Sequence, residues 1–214
     1  MSEISVGRLG IPVALCIGLL VLSACGSGKS AATARHTTPA ARATSSPSAS
    51  GSPVSVRVGP YTQVFATPLP ADEAQGGVIE GFRKAQILWE KSQNVWHLVP
   101  PVTDYVTGRA LSHLLAAMAA FKARHLVPAG TDRFFNTRVT GITDRRATVA
   151  TCDDGSKYKQ ENPRTGRVDT ALAPQANQKY LFETWRMVRL AGHWAITDFT
   201  LAMLPNPRAE PCQP

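Results

Sequence analysis

The sequence predicts an α+β domain: two to three N-terminal helices packed on a curved, mainly antiparallel sheet. Three observations predict it. Apolar residues recur at a helical period in two stretches between Asp72 and His125. From Phe134 onward the period falls to two. The last two apolar runs, residues 180–190 and 194–201, are separated only by Ala191-Gly192, a hairpin signal. Helices first and strands after imply a helix layer on a sheet.

Residues 1–24 read as a targeting segment. Arg8 is the one base before an apolar run, residues 11–21, that Pro12 and Gly18 interrupt. A membrane-spanning helix needs about 20 apolar residues, so this run reads as a signal peptide. A cut before Cys25 places Leu22 three positions upstream, where ordinary signal peptidase wants a small residue. Leu22-Ser23-Ala24-Cys25 instead resembles a lipobox. The Cys25 thiol would carry diacylglycerol, and two acyl chains suffice for stable anchoring. The expected location is the outer face of the cell membrane.

Residues 25–71 follow as the lipidated Cys and a flexible tether. Residues 26–53 are Ser, Thr, Ala, Pro and Gly with no large apolar side chain, so they cannot bury enough surface to order themselves. Such a coil spans about 30 Å. Lys29, Arg35, Arg42 and Arg57 carry charge here without any acid as far as Tyr61, which accounts for half of the net charge of +8. Gly28-Lys29-Ser30 imitates the end of a P-loop, but Ser23 stands where the first glycine is needed. No recognition motif for nucleic acid is visible, and an exported chain seldom meets it. Residues 54–65 alternate weakly, as a short strand or an ordered arm.

The domain itself is assigned to residues 72–214, room for one core. Val78, Phe82, Ala85 and Trp89 form one face of the first helix, with Glu80, Arg83, Lys84, Glu90 and Lys91 opposite. Pro100-Pro101 stops it. Thr103 or Asp104 can cap a short turn, and Thr107-Gly108 leads into the second long helix. Its stripe is Leu111, Leu114, Leu115, Met118 and Phe121. Lys122, Arg124 and His125 suit its C-terminal end. His113 lies off the stripe, in solvent. Residues 134–142, 147–152 and 158–161 read as strands, with Asp144-Arg145-Arg146 and Asp153-Asp154-Gly155 as turns. Residues 163–178 read as a loop.

A two-residue turn at Ala191-Gly192 sets the last register, pairing Leu190 with His193 and Trp185 with Asp198. One face then holds Arg189, Trp194, Met187, Ile196, Trp185, Asp198 and Glu183, and the other Leu190, Val188, Ala195, Arg186, Phe199, Phe182, Leu201 and Tyr180. Both faces are largely apolar, so both should be covered. Two helices cover one. A twin subunit or the Pro-rich tail would cover the second.

Tyr105-Val106-Thr107-Gly108 with Ala110-Leu111, the strand around Ala147-Thr148-Val149 to Cys152-Asp153, Gly166, Gly192-His193-Trp194 and Cys212 together resemble secreted actinobacterial lipoproteins of the NTF2-like (SnoaL-like) superfamily. The resemblance implies a cone of curved sheet wrapped by helices, often dimeric through the outer sheet face. It also implies that any enzyme of this kind places carboxylate or His groups in the cone. No catalytic motif of such an enzyme matches, and fold alone does not give function.

Two constellations remain. Cys16 leaves with the signal and Cys25 is acylated, so Cys152 and Cys212 are expected to pair in an oxidising compartment. Asp198 and Glu183 are diagonal neighbours beside Trp185, Met187 and Trp194, a possible pocket, and a carboxylate on apolar surface has its pKa raised. Arg138 or Arg189 would neutralise one of them on the plainer reading. No metal or cofactor site is expected. The functional expectation is a non-catalytic binding or accessory module for an apolar ligand, an envelope polymer or an envelope protein. The alternative is a dehydratase, isomerase or cyclase run by pocket carboxylates.

Overall fold

In the computed structural model, residues 52–170 and 179–213 are described. The signal peptide, Cys25, most of the tether and part of the long loop lie outside them. Six strands form one mixed sheet in sequence order. Strands β1 (Val54–Val58) and β2 (Tyr61–Phe65) make a hairpin, and helices α1 (Glu73–Val95), α2 (Val102–Tyr105) and α3 (Gly108–Arg124) follow. Strands β3 (Val127–Ile142), β4 (Arg146–Glu161), β5 (Tyr180–Leu190) and β6 (His193–Ala202) complete the sheet, and a 3₁₀ helix (Pro207–Cys212) ends the chain. All neighbours are antiparallel except β2 and β3, which run parallel.

The helices are therefore preceded by a hairpin rather than N-terminal. Residues 54–65, read as a short strand or an ordered arm within residues 25–71, form two strands of the sheet. Val56 pairs with Gln63 in the hairpin, and Phe65 pairs with Phe134 of β3. Tyr61, Gln63 and Phe65 alternate inward and are buried.

Asp72 caps α1 by accepting the Gln75 N–H at 2.8 Å. The expected face, Val78, Phe82, Ala85 and Trp89, is buried. Phe82 packs edge-on to Phe134 at 5.9 Å, and Trp185 stacks on Phe199 at 4.6 Å. Gly81 lets α1 approach β6 closely, because a Cβ there would lie 2.6 Å from Trp194 Cβ. Glu90 departs from expectation. It is buried together with Gln86 and Gln93, so the buried side of α1 is wider than its apolar stripe. In α3, Leu114 and Met118 are buried but Leu115 is 47 % exposed, so the stripe is narrower than its apolar residues suggest. The short turn α2 has Pro101 as N-cap, without a capping side chain.

Strand β4 runs unbroken through Asp153-Asp154-Gly155, which the sequence reads as a turn. The Gly155 N–H donates to Lys179 O at 2.8 Å, and Asp153 and Asp154 pair with Leu181 and Tyr180. Strand β3 likewise starts earlier than expected, at Val127.

The final hairpin turns at Ala191-Gly192, both at positive φ, and pairs Leu190 with His193 through to Met187 with Ile196 as expected. Beyond that the register slips by one, pairing Arg186 with Asp198 and Trp185 with Phe199. The cause is a docked neighbour: Ile196 O accepts the Thr107 N–H at 2.8 Å, and Val106 bridges Ile196. Thr197 becomes the extra residue of a bulge. Everything after it exchanges faces.

The face away from the helices is partly covered by the tail. The 3₁₀ helix packs on β4 and β5, and Cys152 is bonded to Cys212 across that contact.

Candidate functional site

Four carboxyls converge inside the shell, one from each of four elements: Glu90 of α1, Asp132 of β3, Asp153 of β4 and Glu183 of β5. All four are buried. Alternation along β4 and β5 puts Asp153 and Glu183 on the side of Val149, Trp185 and Met187, facing α1. A bulge between Thr131 and Arg133 leaves Asp132 out of the β3–β4 ladder, next to Gln63 of β2. Among the described residues, no Lys, Arg or His is buried to balance them.

Each carboxyl has a different local partner. Tyr61 donates its hydroxyl to Asp132 Oδ2 at 2.7 Å. Trp185 Nε1 donates to Glu183 Oε2 at 2.8 Å. With its amide turned to satisfy both neighbours, Gln93 donates to Glu90 Oε2 at 3.3 Å and accepts from Trp89 Nε1 at 2.9 Å. Asp132 Oδ1, Asp153 Oδ1 and both amide atoms of Gln63 are buried without a hydrogen-bond partner among the described residues. Such unpaired groups cost about 1–3 kcal/mol each.

Burial holds protons on this cluster. It raises Asp132 to about 7, opposed by the Tyr61 hydrogen bond and assisted by Asp154. It raises Glu183 to about 7, opposed by Trp185 and assisted by Asp132. Burial also raises Glu90 and Asp153 well above their ordinary values, with Asp132 nearby adding to each. Tyr61 is pushed well up by burial and then by Glu90. The cluster can accept and release protons near neutrality. General acid or base work on a substrate would also require access to it. Among the described residues, no group of three or more His, Cys, Asp or Glu is arranged to hold a metal ion.

The expected pair Asp198 and Glu183 is not brought together. The bulge turns Asp198 away from Glu183, into a surface ion cluster. Arg109 Nε donates to Asp198 Oδ1 at 3.0 Å and Arg186 Nη1 to Oδ2 at 2.6 Å. The Arg109 hydrogen bond above all holds Asp198 below its ordinary value, against the expected rise. The neutralising residues are thus Arg109 and Arg186, not Arg138 or Arg189. Trp185 and Met187 are packed in the core, and Trp194 is 8 % exposed at the edge of an open cleft.

That cleft has a volume of about 1330 Å³. The first turns of α1 form one wall, with Gly76, Gly77 and Gly81 along it and open space only over Gly77. Tyr105, His193 and Trp194 form another, with the Tyr105 and His193 rings 4.6 Å apart. His193 Nε2 lies 2.9 Å from Asp104 O, so it is engaged with backbone. Glu80, Lys84, Asp144 and Arg189 rim the opening. A second cleft, of about 500 Å³, lies between Ala66–Pro68 and β3. None of the four interior carboxyls lines either cleft.

Sequence reasoning missed Glu90, Asp132 and Asp153. A signal existed in α1, where Gln86 and Gln93 fall among the buried residues with Trp89 and Glu90. Polar residues that share a helix face with apolar ones mark a polar interior.

No family model matches the chain, and no curated protein matches it. Solved structures do. The intermembrane-space region of the chloroplast protein ARC6 is 14 % identical, with 63 % of this chain and 99 % of that one covered and a TM-score of 0.37. A ketosteroid isomerase-like protein from Erwinia carotovora atroseptica is 15 % identical over 62 % of this chain and 98 % of its own, with a TM-score of 0.37. A protein of unknown function with a cystatin-like fold from Nostoc punctiforme is 12 % identical over 65 % of this chain and 97 % of its own, with a TM-score of 0.35. Among the described residues, this chain itself is an α+β arrangement of a few helices on an open, mixed six-stranded sheet.

Proposed function

We propose that this chain is a lipoprotein held at the outer face of the cell membrane through Cys25, and that its NTF2-like domain is a non-catalytic binding module of the cell envelope. The observation that carries the binding reading is the contrast between the two candidate sites. The carboxyls that could do chemistry are buried and line neither cleft, while the accessible cleft of about 1330 Å³ is walled by the first turns of α1 and aromatic rings. A shape that is open, half apolar and rimmed by both charges suits holding an apolar ligand or an envelope polymer.

Gly77 supplies the test. It lines the cleft, and a Cβ built on it meets nothing within 4 Å. Gly77→Leu should therefore fill the cleft without disturbing the helix, and helix propensity favours the change. Saturable binding of an apolar fluorescent probe or of soluble cell-wall fragments is expected in the parent and should be lost in Gly77→Leu. Equal binding by both proteins would sink this reading of the cleft. The anchor is tested apart from it: Cys25→Ala should move the cellular protein out of the detergent phase.

The enzyme reading draws on one observation, that Asp132 and Glu183 titrate near neutrality. It requires the shell to open to a substrate. A turnover abolished by Asp132→Asn but retained in Gly77→Leu would favour it over the module.

A further inference from the structure

We propose that the surface where the tether enters the domain is a docking face for an anionic phospholipid bilayer, built on Arg133, Phe135 and Arg138 of β3. This rests on the reading of Cys25 as a lipid anchor, because the anchor is what brings the face to a bilayer.

The three residues share one side of the sheet. Their ladder partners on β4 are Asp154, Cys152 and Ala150, and Cys152 carries the disulfide on the side away from the helices. Both arginines are exposed, and neither makes an ion pair among the described residues. Asp154 stands across from Arg133 without an ion pair to it, and its Oδ1 accepts the Ser156 N–H at 3.0 Å. The Arg133 guanidinium lies over the Phe135 ring at 5.1 Å, and Arg138 Nη1 donates to Asn136 O at 3.2 Å. A bulge between Phe135 and Arg138, with Asn136 at φ +51°, lifts this stretch out of the ladder beside the smaller cleft. Two exposed guanidiniums without ion pairs among the described residues, next to a half-buried aromatic ring, form a surface suited to phosphate headgroups at a water–lipid boundary.

Where the chain enters the domain selects the occupant. Val54 pairs with Phe65, and the next residues, Ala66 to Pro68, line that same cleft. Ala66 N donates to Phe134 O at 2.8 Å, which ties this end of β2 to the arginine-bearing strand. The tether thus joins the domain beside Arg133 and Arg138. It brings Lys29, Arg35 and Arg42 with no acid between Cys25 and Ser52. Anchor, basic tether and exposed arginines lie in series, so an anchored domain can settle with this face on the bilayer. Each base near an anionic surface strengthens association by roughly fivefold.

Vesicle flotation tests it, using the processed chain of residues 25–214 with Cys25→Ala so that no acyl chain contributes. Binding is expected to vesicles of phosphatidylglycerol mixed into phosphatidylcholine, and not to phosphatidylcholine alone. Arg133→Gln with Arg138→Gln should weaken it by roughly thirtyfold, and the corresponding double Lys variant should retain it. Arg145→Gln with Arg164→Gln removes the same charge elsewhere and should change binding by less than about threefold. Where the double Gln variant does not fold, Arg138→Gln alone should lose roughly fivefold. Equal losses in the two double Gln variants would overturn the proposal, since net charge or the tether alone would then explain binding. So would absence of binding to the anionic vesicles, or release by inorganic phosphate at matched ionic strength, which marks a free-phosphate pocket. Failure of the anchor reading shows separately, as a cellular protein that never enters the detergent phase.

Discussion

Arg186 and Asp198 stand opposite each other across β5 and β6, with Arg186 Nη1 donating to Asp198 Oδ2 at 2.6 Å. Arg109 of α3 reaches the same carboxylate, so one acid links sheet and helix at the surface. Asp198 is itself buried, but both arginines are exposed to solvent, so the pairs contribute little and salt screens them. Asp198→Asn is therefore expected to lower the melting temperature only slightly at pH 7. Because Asp198 is held below its ordinary value in the fold, its contribution is present above the unfolded value and lost as pH falls through the folded one. The melting difference between variant and parent should vanish in strong acid and shrink in high salt. A large loss at pH 7 would mean that Asp198 does more than hold the two arginines.

The same bulge predicts a sensitive glycine. Gly108 opens α3 at φ +55°, and a Cβ there would lie 2.9 Å from Thr197 O. Alanine would have to adopt the left-handed region against a backbone oxygen. Gly108→Ala should cost about 1–3 kcal/mol, read as a lower urea midpoint with an unchanged slope. An unchanged midpoint would mean that the α2–α3 junction is not pinned to β6.

These two sites show what was legible in the sequence. The helices α1 and α3 and the turn at Ala191-Gly192 follow from local chemistry, a 3.6-residue period and a two-residue turn, and they stand where expected. The register held from Leu190 back to Met187, then failed where Thr107 takes the carbonyl of Ile196, a contact between residues far apart in the chain. Asp153-Asp154-Gly155 has the composition of a turn, yet its neighbours on both sides hold it in β4. Glu90 and Lys91 look alike in sequence, yet the tertiary fold buries the first beside Asp132 and leaves the second exposed. The interior carboxyls were illegible because each comes from a different element, and no spacing links them.

The covalent tie between tail and sheet has a measurable contribution. Cys152 and Cys212 are buried, and 60 residues separate them. In the chain-entropy model, a loop of that length stabilises by about 4 kcal/mol. Cys212→Ala is expected to lower the unfolding free energy by that order, and reduction of the parent should do the same. Thiol titration should find neither cysteine in the native oxidised domain and both after denaturation with reductant. A variant as stable as the parent would show that the 3₁₀ helix holds its place through packing alone.

The interior carboxyls make the domain's stability depend on pH in the direction opposite to most surface acids. In the unfolded chain Asp132 and Glu183 lose their protons near pH 4, whereas in the fold burial holds them until about 7. Between those values the folded state binds more protons, so stability is fully present below pH 4 and declines as pH rises through 7. Each group contributes a slope of about 1.4 kcal/mol per pH unit within its window. Glu90 and Asp153, also raised by burial, act in the same direction. Asp132→Asn and Glu183→Gln remove the titration while keeping an acceptor for Tyr61 and Trp185. Each should flatten the profile and make the domain more stable than the parent at pH 8, by about 4 kcal/mol on that slope, with little change at pH 4. Denaturant melts across pH 4–9 read this directly. A parent profile that is flat from pH 4 to 8 would mean that water reaches the carboxyls and that burial does not hold their protons.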